Sequence, residues 1–252
     1  MLGNSGPFRE RNDAMHRTPY IQALIEHTGA RTYLEIGVFE GDNFFDIRAP
    51  HKFAVDPAFR IWRKRKLRYI LQHPTGLLDR YYEMPSDDFF ARMPRRIRRQ
   101  GLDVALIDGL HTYAQSRRDV EHCLSHLTPG GVLVLHDCNP TNPTAALPVS
   151  SPREAAHQAP PGWDGMWNGD VWKTVVWLRS HHPDLHVFTL NSDFGLCTVA
   201  RGTPESRLPY TEEQIAAMTY QDLAAHRETF LNLKPAMFAA EFLATLGSAT
   251  GG

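Results

Sequence analysis

Two short runs hold most of the chemistry in this chain. One is Asp108-Gly109-Leu110-His111-Thr112-Tyr113, and the other is Leu135-His136-Asp137-Cys138-Asn139-Pro140. A carboxylate, a histidine three residues on and a second carboxylate behind a later apolar run are the groups that proton transfer beside a cation needs. Asp108 and Asp137 can bind a hard divalent cation, with water completing the shell. Asn139 offers a further oxygen. His136 suits a cation that accepts nitrogen, which magnesium does poorly. His111 lies just before a helix, whose dipole biases it toward the neutral imidazole that a general base requires at pH 7. Alone, such a histidine would more simply cap the helix or pack.

A third run, Glu35-Ile36-Gly37-Val38-Phe39-Glu40-Gly41, follows an apolar stretch and precedes a helix. Glycines there let backbone approach a ligand closely. Phe39 occupies the middle glycine position of the dinucleotide fingerprint, so that fingerprint is absent, and the run also fits an ordinary strand-to-helix turn. Asp56 ends the next apolar stretch about 20 residues later, where an acid can accept hydrogen bonds from ribose hydroxyls. Pro57 behind it fits a plain helix cap as well. Ser86 either caps a helix or touches an adenine. Glu35, Gly37, Gly41, Asp56, Ser86 and Asp108 are thus candidate contacts to an adenosine-type ligand.

The elements that must position these groups alternate. Apolar strands are expected at 33–37, 52–56, 103–108 and 131–137, with a weaker one at 80–83. Helices are expected at 18–29 and 58–71, and after the capping box Thr112-Tyr113-Ala114-Gln115. Near-continuous apolar strands between helices predict a parallel sheet buried on both faces. Residues 138–170, rich in Pro, Ser, Asn and Gly, read as a long loop and as an active-site lid. A helix at about 170–179 and a hairpin of 186–190 and 194–199 follow, so the last strand should run antiparallel. Residues 211–246 read as a helical extension with a break near Pro235. The fold class is therefore α/β, a doubly wound Rossmann-like sheet with helices on both faces, in a single domain spanning 1–252.

Composition bounds the function. The 252 residues are 42% hydrophobic, enough for a sizeable core, and 27 basic against 28 acidic side chains leave a net charge of −1. That balance excludes a strongly basic nucleic-acid binder. The basic runs Arg60 to Arg68 and Arg92 to Arg99 read as solvated faces. No apolar run approaches the length of a membrane span, and the first twenty residues lack a signal-peptide core. Cys123, Cys138 and Cys197 make no disulfide framework. The chain reads as a cytoplasmic enzyme with a small-molecule or oligosaccharide acceptor, with no nucleic-acid or membrane partner; a homo-oligomer is compatible. Trp163 and Trp167, set among Pro, Gly, Asp and Asn, are candidate platforms for a sugar ring.

Taken together, the Glu35–Gly41 turn, Val55-Asp56, Leu106–Tyr113 and Pro129–Asp137 resemble class I S-adenosylmethionine (SAM)-dependent methyltransferases. Ile107–Tyr113 with Leu135–Pro140 is similar, more narrowly, to metal-dependent sugar O-methyltransferases of the macrocin and mycinamicin type. The likeness spans roughly residues 18–200. It implies seven strands with the last antiparallel, SAM over Gly37 and Gly41 with Asp56 on its ribose, and Mg2+ or another divalent cation on Asp108 and Asp137. It implies His111 as catalytic base. Relatives often carry paired acids where this chain has His136-Asp137, so the third ligand is Asn139, His136 or water. The acceptor is then a glycosylated natural product or an oligosaccharide, the methylated-mannose kind made by mycobacteria among them. The alternatives are a catechol-type O-methyltransferase and a non-catalytic domain that senses SAM or metal.

Overall fold

The computed structural model describes residues 15–161, 163 and 165–247. Residues 1–14 of the N-terminal stretch, and 162 and 164 of the long loop, lie outside them. Eight strands form one sheet: β1 (Thr32–Ile36), β2 (His51–Asp56), β3 (Arg80–Glu83), β4 (Leu102–Ile107), β5 (Leu127–Leu135), β6 (Leu185–Leu190), β7 (Leu196–Arg201) and β8 (Leu233–Lys234). Their order is β3-β2-β1-β4-β5-β7-β6-β8, and only β7 runs antiparallel to its neighbours. The helices are α1 (Arg17–Thr28), α2 (Asp42–Asp46), α3 (Arg63–Gln72), α4 (Ser86–Ala91), α5 (Arg95–Gln100), α6 (Tyr113–Leu124), α7 (Pro152–Gln158), α8 (Trp172–His181), α9 (Glu212–Ala217), α10 (Tyr220–Leu231) and α11 (Phe238–Gly247). A 3-10 turn, Pro74–Leu78, follows α3.

Both faces of the sheet are covered, which is why its central strands are mostly apolar and almost wholly buried. On one face Phe89, Ile97, Val120, Trp172 and Val175 pack from α4, α5, α6 and α8. On the other, Tyr20, Leu24, Phe44, Tyr69 and Phe242 pack from α1, α2, α3 and α11. The Rossmann-like arrangement is the expected one, with eight strands rather than seven. The eighth is the two-residue β8, added beside β6 where Asn232 turns the chain in a left-handed conformation, φ 44°. No two-residue strand carries a periodicity to read.

Three boundaries differ from the sequence expectation. Helix α3 starts at Arg63, not near residue 58, because Asp56 Oδ1 accepts from the Ala58 amide at 2.8 Å and the Arg60 amide reaches the Phe39 carbonyl at 3.0 Å. Those bonds bend the chain at 57–58 and keep 57–60 out of the helix. Strand β5 begins at Leu127, ahead of Pro129-Gly130, in a stretch whose register against β4 shifts. A proline is tolerated at such an irregularity. The C-terminal extension is three helices with β8 between the last two.

Four central strands end in step. The Gly37 amide bonds the Val55 carbonyl, the Asp108 amide bonds that of Ile36, and the His136 amide bonds that of Ile107. This ladder, continued one residue past each strand, sets Asp56, Gly37, Asp108 and His136 in a row along the carboxyl edge, where doubly wound sheets bind ligands.

Candidate active site

A cleft of about 590 Å³ runs along this edge, bordered by Gly37, Asp56, Ser86, Asp108, His111 and Asp137 among others. Gly37 has φ +84°, and a Cβ there would lie 1.9 Å from the Asp108 carbonyl oxygen. Its first task is therefore to let β1 and β4 converge. Gly41 is a correction. It caps α2 at φ +82° with its missing side chain toward Phe45, and it does not line the cleft. Asp56 does line it, with Oδ2 accepting from the Phe39 amide at 2.8 Å. That bond folds the glycine turn over the end of β2.

Ser86 belongs to a small polar cluster at the same end. Its hydroxyl donates to Asp119 Oδ1 at 2.5 Å, and Gln115 Nε2 reaches Ser86 at 3.1 Å and Asp119 at 3.0 Å. Thr112 caps α6 by accepting from the Gln115 amide, but the Gln115 side chain turns to this cluster instead of closing the capping box. Burial raises the Asp119 carboxyl to about pKa 6. Gln115 reads in the sequence only as part of a capping box, and Asp119 carries no local signature because it is a mid-helix acid. Glu35 lines an adjoining cavity of about 420 Å³ with Asn43, Asp42 and Arg17. Tyr33 and Asn43 donate to it, and burial raises its pKa to about 7.

At the other end the two chemical runs meet. One ligand atom each from Asp108, His111 and Asp137 lies within 4.8 Å of the others. His111 Nε2 is 3.1 Å from Asp137 Oδ2, and its Nδ1 is 2.7 Å from the Trp167 carbonyl. A carbonyl only accepts, so Nδ1 carries a proton and Nε2 faces the carboxylates. His136 Nδ1 is 3.1 Å from both Asp108 Oδ1 and Asp137 Oδ2. Asp137 has φ +61°, a conformation that Asp tolerates better than most residues.

The electrostatics correct the expectation of a neutral His111. Burial lowers its pKa, but Asp108 and Asp137 outweigh this and raise it to about 9. The same carboxylates hold His136 well above the ordinary histidine range against its burial. Burial opposes ionisation of Asp108, yet His136, His111 and Arg17 bring its pKa far below the carboxylate range. Arg17 lies 2.5 Å from Asp108 Oδ2, and Asp193 receives the Arg17 amide at 2.8 Å. Two histidines and a guanidinium thus face Asp108, Asp137 and Asp193. Neither Arg17 nor Asp193 stood out in sequence, since each comes from a distant element with no motif.

Asn139 is a further correction. Its amide donates to Asn191 at 3.1 Å and its oxygen accepts from Arg227, which commits it away from the carboxylates. The donors present are two carboxylates and two imidazoles. This set fits a divalent cation that takes mixed oxygen and nitrogen ligands better than one restricted to oxygen. His136 Nε2, on the far side of the ring from these carboxylates, is buried without a hydrogen bond and lies 3.4 Å from Asp193 Oδ1.

The 138–170 loop is a packed strap. It carries α7 and a satellite core of Val149, Ala155 and Trp167, against which Leu147 and Trp163 pack. Trp167 is buried and its indole donates to the Leu147 carbonyl at 2.8 Å, while that of Trp163 donates to Met166. Their N–H groups are consumed internally, which leaves neither free to donate to a sugar. The far end of the strap grips the site: Asn168 donates to Asp137, and Asp170 accepts from the Tyr113 amide at 2.6 Å. Gly169, at φ +63°, lets the strap pass so close to His111 that a Cβ would stand 1.7 Å from its carbonyl oxygen.

Residues 34–138 match the family described as "Methyltransferase domain", a span that contains the carboxyl ends of β1, β2, β4 and β5. No curated protein matches the sequence at a significant level. Among solved structures, an assigned caffeoyl-CoA O-methyltransferase from Staphylococcus aureus aligns with a TM-score of 0.52 at 18% identity, over 78% of this chain and 86% of its own. An assigned O-methyltransferase from Klebsiella pneumoniae aligns with a TM-score of 0.51 at 13% identity, over 77% and 84%. Residues 34–138 are therefore similar to a methyltransferase domain. The architecture of the chain is the Rossmann-like fold found in O-methyltransferases.

Proposed function

We propose that this chain is a SAM-dependent, divalent-cation-dependent O-methyltransferase acting on a sugar hydroxyl. The observation that carries the reading is one cleft joining two unlike ends. One end has the glycine turn, Asp56 and the Ser86–Gln115–Asp119 cluster, which offer acceptors to ribose hydroxyls and an adenine amino group. The other has Asp108, Asp137, His136 and His111, which suit a cation and a proton.

Asp108, Asp137 and His136 would hold the cation, which when bound supplies a positive charge that lowers the pKa of the acceptor hydroxyl. His111, the more exposed imidazole on the cleft side, takes the proton at Nε2, and Trp167 fixes its tautomer through Nδ1. The excess negative charge around His111 falls once a cation shares the carboxylates, which returns its pKa toward the range useful to a base. Transfer then needs the oxygen placed in line with the methyl group, so most of the catalysis is positioning. The strap excludes water at the reacting end. Preference for a sugar rests on the likeness of Ile107–Tyr113 and Leu135–Pro140 to the macrocin and mycinamicin type, since the strap tryptophans are engaged in packing.

The test is methyl transfer from labelled SAM to parallel panels of saccharides and catechols, with and without a chelator. Saccharide methylation that a chelator abolishes and a divalent cation restores supports the whole reading. Transfer to catechols alone overturns the acceptor. Full turnover in excess chelator overturns the cation, and absence of SAM binding by calorimetry overturns the class of activity.

A further inference from the structure

The sequence from 57 to 78 contains six Lys and Arg residues and no acid, although basic and acidic side chains balance at 27 and 28 over the whole chain. In the fold this surplus gathers on α3. Tyr69 turns inward and is 7% exposed, packed beside Phe45. Leu67 and Leu71, one turn apart, fall on the opposite side at 59% and 73% exposure. Arg63, Lys64 and Arg68 border them. Arg65 pairs with Asp42 and Lys66 lies over the Tyr81 ring, but among the described residues Arg63, Lys64 and Arg68 have no acidic partner.

The apolar face continues beyond the helix. Trp62, at its N-cap, is 72% exposed, and Leu77 and Leu78 in the following turn are 66% and 56% exposed. That turn packs back on α3, with Gly76 against the Tyr69 ring. Five of the nine large exposed apolar side chains among the described residues thus lie between 62 and 78. Apolar surface concentrated this way marks an interaction site.

We propose that the outer face of α3 and the turn after it form a peripheral docking surface for a bilayer containing anionic lipid. The cations require a negatively charged partner, which a nucleic acid or an anionic bilayer would satisfy. The leucines and the tryptophan decide between them. A polyanion in water has no use for exposed leucines, whereas leucine and tryptophan between Lys and Arg stems are the composition of a helix lying in a bilayer interface. Arg65 and Arg68 also border a cavity of about 210 Å³ with Arg48, His73 and one acid, Asp46, of a size for a lipid phosphate. No helix among the described residues is long and apolar enough to cross a membrane, so the contact is superficial. It departs from the sequence expectation of no membrane partner. The face adjoins the cleft, because Arg60, three residues ahead of α3, stacks over Phe39 on the cleft wall at 5.2 Å. The inference does not depend on which reaction the cleft performs.

The test is co-sedimentation of the full chain with vesicles of phosphatidylcholine alone and of phosphatidylcholine mixed with phosphatidylglycerol, at low and high salt. Binding is expected only to the mixed vesicles and should weaken with salt. Each cation near an anionic surface is worth about fivefold, so Lys64→Glu with Arg68→Glu should lower binding by about 25-fold or more. Leu67→Ser with Leu71→Ser should lower it by roughly tenfold or more at unchanged charge. Arg98→Glu with Arg99→Glu on α5 should leave it unchanged, and all three variants should keep the wild-type melting temperature. Failure to bind mixed vesicles at low salt overturns the proposal, as does equal loss from the α3 and α5 charge reversals. Full binding by the leucine variant overturns the apolar contact. Retention of duplex DNA without retention by vesicles assigns the face to nucleic acid instead.

Discussion

Replacing Glu35 by glutamine is expected to flatten the pH dependence of stability above pH 5. Glu35 is 2% exposed, and the Tyr33 hydroxyl and the Asn43 amide donate to it at 2.6 Å and 2.7 Å. Burial raises its pKa from 4.5 to about 7. Below the unfolded value both states hold the proton, and the group has no effect on stability differences. Between the two values the unfolded chain loses the proton and the folded one keeps it, so stability falls as pH rises and the loss is complete above the folded pKa. At about 1.36 kcal/mol per pKa unit the loss is on the order of 3 kcal/mol. Glutamine keeps an acceptor for both donors and cannot ionise, and its amide can face the adjoining cavity. Urea midpoints of wild type and Glu35→Gln should be close at pH 5 and diverge in favour of the variant toward pH 8. For a chain of this size that difference is about 6–12 °C in melting temperature. A gap that stays constant from pH 5 to pH 8 would refute the reasoning and mean that Glu35 is ionised throughout.

The same carboxyl should report cofactor binding: if the ammonium of SAM sits beside it, binding near pH 6 releases a proton, detectable as a buffer-dependent heat in calorimetry. His111→Ala should lower turnover by roughly 10²–10⁴-fold and leave SAM affinity unchanged, the usual worth of a general base; retained turnover would shift the role to His136. His111→Ala should also keep its affinity for a divalent cation, whereas Asp137→Ala should lose it, a comparison read by metal titration without any acceptor. Gly169→Ala places a Cβ into the His111 carbonyl and forces a left-handed residue, a strain of about 1–3 kcal/mol. Its turnover should fall more than tenfold with SAM affinity near wild type, and unchanged kinetics would show that the strap does not set His111. Asp119→Asn should weaken SAM binding by about tenfold, since a hydrogen bond to a charged acceptor is worth about 1.5–3 kcal/mol.

Local sequence was sufficient wherever a residue's role follows from the element it ends. The buried strands of an α/β sheet are apolar on both faces, so β1, β2, β4 and β5 were legible, and with them the edge on which Asp56, Asp108 and Asp137 stand. The hairpin of 186–190 and 194–199 made the antiparallel strand legible too. Tertiary structure decided what each group faces. Gly41 and Asn139 carry the right types for ligand contacts, but their neighbours, Phe45 in one case and Arg227 in the other, turn them to packing. Trp163 and Trp167 sit in a polar stretch that reads as open loop, yet they find each other and Val149 and bury a small core of their own. Arg17 and Asp193 stand at positions far apart in the chain and meet at Asp108 and His136 only because α1 and the β6–β7 turn both reach the carboxyl edge. The protonation of His111 likewise depends on a summed field of carboxylates from separate strands. Sequence spacing carries no measure of such distances, and Coulomb energy depends on nothing else so strongly.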